Sequence, residues 1–477
     1  MRFLSAALLV LATLAGPVSA ATYPTVPPGV TLTQPDGGPT YYADHGYTNA
    51  VMRGWDSPSF FPIGPWIAPI ITSADAQRWA ALGWNTAFVP TTNSSQATAA
   101  NAGISVVQTY EVSGSQTFGP AWTPGPETVG LLGWDEPSSF AQGVSGPIST
   151  TPDSAQGGRF LWDNNTWNVV PYGPPSGTPG GTMAGFFTSQ VATPGGVLRN
   201  VDIGSFDWYL FSGASISPQA YQMLYEVGVV YGLGGSATPD QARRALGYGD
   251  AIDSQRVWQP GRPILAIVEN GGPSTNNATL ASYIQPTELP WAVWMSIIHG
   301  ARGVVYFNSS FGGPYVADDN LSTSGYSLIW PGQTVSMFAQ TASLDAQVKA
   351  HAPIILSQAA SGYATVSPAS GEIALPPKSG SGVSAFSGID IVVKRFTGGP
   401  IPIGTFKARH GYYIYAATRD SESATNIPAT FTLNDPAAFE VQVVGENRTI
   451  PVVKGVFSDT FAQAWVVHIY RVKRSKA

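Results

Sequence analysis

The chain of 477 residues contains no cysteine, which excludes disulfides, thiol nucleophiles, iron–sulfur clusters and Cys-ligated zinc. Histidine is scarce. The five are His45, His299, His351, His410 and His468, and no two have the i, i+4 spacing of a helical metal site. No metal and no cofactor are therefore expected. Charged residues make up only 11% of the chain, against a typical ~25%. The formal charge of −6 offers no basic footprint for nucleic acid. Gly-rich phosphate loops of the usual patterns are missing as well. No apolar run reaches the ~20 residues of a membrane span.

What is present is apolar and aromatic. Hydrophobic residues are 43% of the chain and aromatic residues 12%, with 14 Trp, 20 Tyr and 21 Phe. Such a composition buries a large core and argues against long disorder. At the N-terminus, Arg2 precedes an apolar run from Leu4 to Ala15 and then Gly16-Pro17-Val18-Ser19-Ala20. This is the pattern of a secretory signal, with cleavage expected after Ala20 and a secreted or periplasmic product.

From about residue 58, short apolar runs alternate with helix-like stretches, the pattern of βα units. Strands are expected near 60–66, 85–90, 104–110, 129–137, 183–188, 205–211, 263–271 and 303–308, the fifth being weak. Residues 138–180, rich in Gly, Ser and Pro, read as an inserted loop that carries a hairpin. A helix over 73–82 has Ser73 as N-cap and Gly83 as stop. Another over 286–299 places Trp291, Trp294, Met295 and Ile298 on one buried face. Eight such strands imply an α/β protein with a (β/α)₈ barrel. After about residue 352 short alternating strands recur at sandwich spacing. The expected division is a signal at 1–20, a barrel with its lead-in at 21–352 and a C-terminal all-β sandwich at 353–477.

Active sites of such barrels lie at the C-terminal ends of the strands. The candidates there are Trp66, Tyr110, Asp135, Glu136, Asp207, Tyr209, Glu269, Asn270 and Asn308, with Trp291 from the following helix. No Lys falls at a strand end, which argues against Schiff-base chemistry. Carboxylates among aromatic rings suit a neutral carbohydrate. Two carboxyl groups suffice to cleave a glycosidic bond, rings pack on the apolar faces of sugars, and Asp and Asn bond the hydroxyls.

The run Gly133-Trp134-Asp135-Glu136-Pro137 resembles the Asn-Glu-Pro signature of the large clan of retaining (β/α)₈ glycoside hydrolases. Ile267-Val268-Glu269-Asn270, the stretch from Trp291 to Phe307, the opening Phe60-Phe61-Pro62-Ile63-Gly64 and the β-rich tail are similar to the corresponding parts of those enzymes. The resemblance implies Glu136 on strand four as acid/base and Glu269 on strand seven as nucleophile. By their place at the strand ends, with Trp291 from a helix, Trp66, Tyr110, Asp135, Asp207, Tyr209, Asn270, Trp291 and Asn308 are the candidate substrate contacts. One position departs from the clan: Asp135 stands where Asn is usual, and an ionised Asp accepts hydrogen bonds but donates none. A non-catalytic carbohydrate-binding protein on the same scaffold is the alternative.

Overall fold

The computed structural model describes residues 26–109, 122–135, 157–166, 201–211, 237–271, 283–308, 329, 332–369, 387–398 and 409–475. Strand β1 (Thr31–Thr33) lies in the lead-in. Then come β2 (Ile63–Trp66), β3 (Thr86–Phe88), β4 (Ser105–Thr109), β5 (Thr128–Asp135), β6 (Phe160–Thr166), β7 (Ile203–Asp207), β8 (Ile264–Glu269) and β9 (Val304–Phe307). Strands β2 to β9 pair in parallel and in chain order. The barrel closes where Ile63 of β2 meets Val304 of β9.

Seven of the eight barrel strands stand where the apolar runs place them. The fifth does not. It is β6 at Phe160–Thr166, inside the stretch read as a loop and hairpin, and residues 183–188 lie outside the described residues. The apolar run of this strand is only Phe160-Leu161-Trp162. Its second half, Asp163-Asn164-Asn165, consists of residues depleted in strands, yet all three are fully buried. The count of eight survives this shift, so Glu269 still ends the seventh barrel strand.

Successive residues of these strands face opposite sides of the barrel wall. On β8, Leu265 and Ile267 join the inner cluster with Trp66, Phe88, Leu132, Trp162 and Val305, whereas Ala266 and Val268 join the outer layer. Trp162 reaches across the interior, edge-on to Trp66 at 4.9 Å and to Phe88 at 5.4 Å. Space inside is tight: a Cβ on Gly130 would fall 2.0 Å from the Phe160 ring. The lead-in plugs the N-terminal end, where Tyr42, Tyr47 and Trp55 pack on Phe160.

The first barrel helix is Ser73–Leu82. Its N-cap is Thr72 rather than Ser73. Thr72 accepts the Asp75 N–H while the Asp75 carboxylate accepts the Thr72 N–H, a reciprocal capping box. Gly83 ends the helix at φ +84°, as expected for a left-handed C-terminal stop.

The C-terminal region carries β10 (Gln358–Ser361), β11 (Ala364–Ser367), β12 (Ile389–Phe396), β13 (Gly411–Thr418), β14 (Thr425–Leu433), β15 (Ala438–Val443), β16 (Arg448–Pro451), β17 (Val456–Gln463) and β18 (Val467–Arg474). They form two antiparallel sheets. One runs β1-β10-β12-β13-β18-β15-β16 and the other β11-β14-β17. Phe431 and Phe457 of the smaller sheet stack at 4.6 Å and pack on Tyr470 of the larger, which makes a β-sandwich. The lead-in strand β1 adds to the edge of the larger sheet, pairing with β10.

Barrel and sandwich share one apolar core. Helix Leu289–Ile298 buries Trp291, Trp294, Met295 and Ile298, but Ala292, Val293, Ser296 and Ile297 are buried as well, so the helix is enclosed all round rather than on one face. Trp294 stacks on Tyr415 of β13 at 5.3 Å. Ion pairs lie in the same junction. Arg419 bonds Asp250 at 2.7 Å and Asp390 at 2.9 Å, and Arg243 bonds Glu288 at 2.9 Å and Glu422 at 2.8 Å. No described helix is long and apolar enough to cross a membrane.

Candidate active site at the open end of the barrel

The C-terminal ends of strands β5 to β9 bring together polar side chains, turned inward by alternation on β6 to β8 and, on β5, by a register shift between Leu132 and Trp134. Asp135 ends β5, Asn164 lies on β6, Asp207 ends β7 and Glu269 ends β8. Asn270 and Asn308 follow the last residues of β8 and β9.

Asn164 is the hub of this wall. Its Nδ2 donates to Asp135 Oδ1 at 2.8 Å and to Asp207 Oδ2 at 3.2 Å. Its Oδ1 accepts from Ser205 Oγ at 2.9 Å, and Ser205 in turn accepts from Trp162 Nε1 at 2.9 Å. The Tyr209 hydroxyl donates to Asp207 Oδ2 at 3.1 Å, and its ring packs on Phe307 at 4.7 Å. Two carboxylate oxygens held by one nitrogen are at most about 6 Å apart, close to the spacing of carboxyl pairs that cleave glycosides.

Glu269 is buried, with 2% of its surface exposed. Its Oε1 accepts the Phe211 N–H at 2.6 Å and the Tyr248 hydroxyl at 3.0 Å. Burial first, and then the Glu269 charge, push the Tyr248 phenol well above its ordinary range, so it remains a donor. The carboxylate is thereby held in one orientation, which positioned catalysis requires.

Behind the wall, burial first and the neighbouring Asp135 charge second raise Asp163 well above the ordinary carboxylate range. Asp163 is completely buried, an environment that disfavours its charged form.

The other candidates divide. Trp66 ends β2 but is only 4% exposed, engaged edge-on with Trp162 inside the barrel. Asn270 is buried, and its N–H donates to the Phe307 carbonyl at 2.9 Å. Asn308 is buried with an Nδ2 that finds no acceptor among the described residues, a donor suited to a ligand hydroxyl. Trp291 is corrected. It is fully buried in the junction, with Nε1 donating to the Thr418 carbonyl at 2.8 Å, and it offers no face to a sugar. Glu136 and Tyr110 lie outside the described residues.

Asn164, Ser205 and Tyr248 were missed from the sequence. Asn164 and Asp163 went unseen because their strand was misread. Phe160-Leu161-Trp162 was the signal that could have found them. No His, Cys, Asp or Glu group able to hold a metal ion occurs among the described residues.

No family model and no curated protein matches the chain. Among solved structures, it is similar to an α-amylase from Geobacillus thermoleovorans complexed with acarbose, at 8% identity and a TM-score of 0.45, covering 87% of this chain and 99% of that one. It is similar to a putative α-galactosidase from Bacteroides fragilis at 7% identity and a TM-score of 0.43, covering 88% and 80%. It is also similar to an HpcH/HpaI aldolase from Desulfitobacterium hafniense at 12% identity and a TM-score of 0.27, covering 53% and 88%. Glycoside hydrolases built on (β/α)₈ barrels are thus among the matches, together with an aldolase. With TM-scores below 0.5 these likenesses carry no argument, and function has to be read from the side chains.

Proposed function

We propose that the protein is an exported glycoside hydrolase that cleaves a neutral oligo- or polysaccharide at the open end of the barrel, with retention. One observation carries this reading. A carboxylate on the seventh strand, Glu269, is fixed by two donors on the rim where Asp135, Asn164 and Asp207 line strands four to six. Glu136 directly follows Asp135.

In this mechanism a Glu269 oxygen attacks the anomeric carbon as the glycosidic C–O bond breaks. Glu136 gives its proton to the leaving oxygen. Glu136 then takes a proton from water, which displaces Glu269 and restores both carboxyl groups. Asp135, Asp207 and Asn308 bond the sugar hydroxyls, and the Tyr209 ring, backed by Phe307, supplies an aromatic wall.

A second pairing has its own support. Asp135 and Asp207 sit on one nitrogen and are close enough to act as a carboxyl pair themselves.

The test is hydrolysis of aryl glycosides and neutral polysaccharides by wild type, Glu136→Gln, Glu269→Gln and Asp207→Asn. Losing a general acid should cost ~10²–10⁴-fold in Glu136→Gln. Azide should rescue a Glu269→Ala variant and release a glycosyl azide of inverted configuration. Full activity in Glu269→Gln with loss in Asp207→Asn would move the chemistry to strands four and six. Binding of a glycan with no cleavage would favour a carbohydrate-binding protein. Export is tested by N-terminal sequencing of the mature protein, which should begin at Ala21.

A further inference from the structure

A cavity of about 540 Å³ lies between the barrel and the sandwich, at the N-terminal end of the strands and so opposite the candidate active site. Its wall includes Asp36 of the lead-in, Arg256 and His299 from two barrel helices, Arg302 just before β9, and Asp390 and Lys394 of β12.

Most of these charges are matched. Arg256 pairs with Asp36 and lies 3.6 Å from Asp253. His299 donates to Asp253 at 2.7 Å and to Asp390 at 3.2 Å. Burial alone would lower its pKa, but the two carboxylates outweigh burial and hold it well above the ordinary range, as an imidazolium.

Two cations lack an ion pair among the described residues. They are Arg302, 9% exposed, and Lys394, 6% exposed. Arg302 donates to the backbone carbonyls of Asp36 and, at 3.5 Å, Gly38, while its Nε has no partner among the described residues. Lys394 donates to the Ser357 carbonyl at 3.3 Å. Burial first, then the charges of Arg302 and Arg256, push the Lys394 ammonium down to about 7, so these three cations feel one another. Buried cations with only carbonyl partners are costly unless an anion joins them.

We propose that this cavity binds a small oxyanion, the phosphate or carboxylate group of an anionic metabolite, between Arg302 and Lys394. The planar guanidinium suits two oxygens of such a group and the ammonium suits a third. Asp36, which acts on both cations, is already paired with Arg256, and Asp56, which acts on Arg302, accepts the backbone N–H groups of Tyr42 and Ala43. A neutral sugar would leave both cations unpaired. The site is independent of the chemistry proposed for the open end.

The test is calorimetric titration of the full-length protein at fixed ionic strength with inorganic phosphate, glucuronate and glucose. Wild type, Lys394→Met and Arg302→Lys are compared. Saturable one-to-one binding of phosphate or glucuronate, with none for glucose, supports the site, and whichever anion binds identifies the source of the group. Both variants should bind at least tenfold more weakly. Without anion, Lys394→Met should melt at or above the wild-type temperature, because it removes an unmatched buried cation. The proposal is overturned if neither anion binds saturably, if both variants bind like wild type, or if glucose competes with the anion.

Discussion

The open end of the barrel and the junction beneath it both bury carboxylates, but they hold them differently. In the junction the partners are cations: Arg419 for Asp250 and Asp390, Arg243 for Glu288 and Glu422, His299 for Asp253 and Asp390. At the open end the described partners are neutral donors: Asn164 for Asp135, Asn164 and Tyr209 for Asp207, Tyr248 and the Phe211 N–H for Glu269. A guanidinium fixes a carboxylate's charge for good. Amide and hydroxyl donors orient a carboxylate and still let it exchange protons or attack a carbon. The junction is built as a clamp, and the described donors at the open end suit the reagent proposed there.

The largest effect should come from breaking the clamp. Arg419→Met leaves Asp250 and Asp390 buried without this partner. Stranded buried charges of this kind cost ~3–5 kcal/mol. Urea unfolding should show a loss of that size. A loss below ~1 kcal/mol would mean that the junction does not depend on charge pairing.

Asp345 supplies a contrast, because it is buried with neutral donors away from the open end. It accepts from Tyr306 at 2.6 Å and from Trp84 at 3.1 Å, and burial raises its pKa to about 8. The folded state therefore keeps a proton that the unfolded chain releases near pH 4. Stability from this group is full below pH 4 and falls as the pH rises toward about 8, by a few kcal/mol in all. In Asp345→Asn the amide can donate to the Tyr306 oxygen and accept from Trp84. Its unfolding midpoint should be flatter across that window than the wild-type midpoint. Equal slopes would show that Asp345 is ionised in the folded protein.

Asn164→Ala tests the open end directly. It removes one donor group from two carboxylates and should cost ~1–2 kcal/mol of stability. Activity should fall further than stability does, and the acid limb of the pH profile should move, since both carboxylates lose a donor to their charged forms. An unchanged profile would make Asn164 a packing residue only.

What the sequence disclosed follows from how local each signal is. Barrel strands such as β8 announce themselves as unbroken apolar runs, since both faces are buried. The burial of Trp291 in helix Leu289–Ile298 was equally plain, but not that the whole helix is enclosed, since the Thr418 carbonyl that takes the Trp291 Nε1 lies far along the chain. Strand β6 was hidden because Asp163, Asn164 and Asn165 are polar, and they are polar because one of them holds the carboxylates of its neighbours. The strand hardest to read thus carries the hub of the site. The pairing of β1 with β10 was equally unreadable, because no local pattern names a partner in another layer.

The smallest effect probes whether clamp and reagent are separate. Arg243 donates through Nη1 to the Phe211 carbonyl at 2.9 Å, and the Phe211 N–H donates to Glu269. One peptide unit on each side of Phe211 therefore ties the junction to the proposed nucleophile. Glu422 sits at the outer edge of this chain, where it meets Glu288 as well as Arg243. It is partly exposed, and Arg243 keeps both oxygens of Glu288, at 2.9 and 3.0 Å, when Glu422 changes. In Glu422→Gln the amide oxygen can still accept from Arg243 Nε. Stability should fall by less than ~1 kcal/mol, as for exposed ion pairs, and kcat should stay within about twofold, since such a small shift in energy changes a rate by only that order. If kcat fell tenfold while stability held, the charge on Arg243 would be tuning Glu269 through Phe211, and the two regions would be one network.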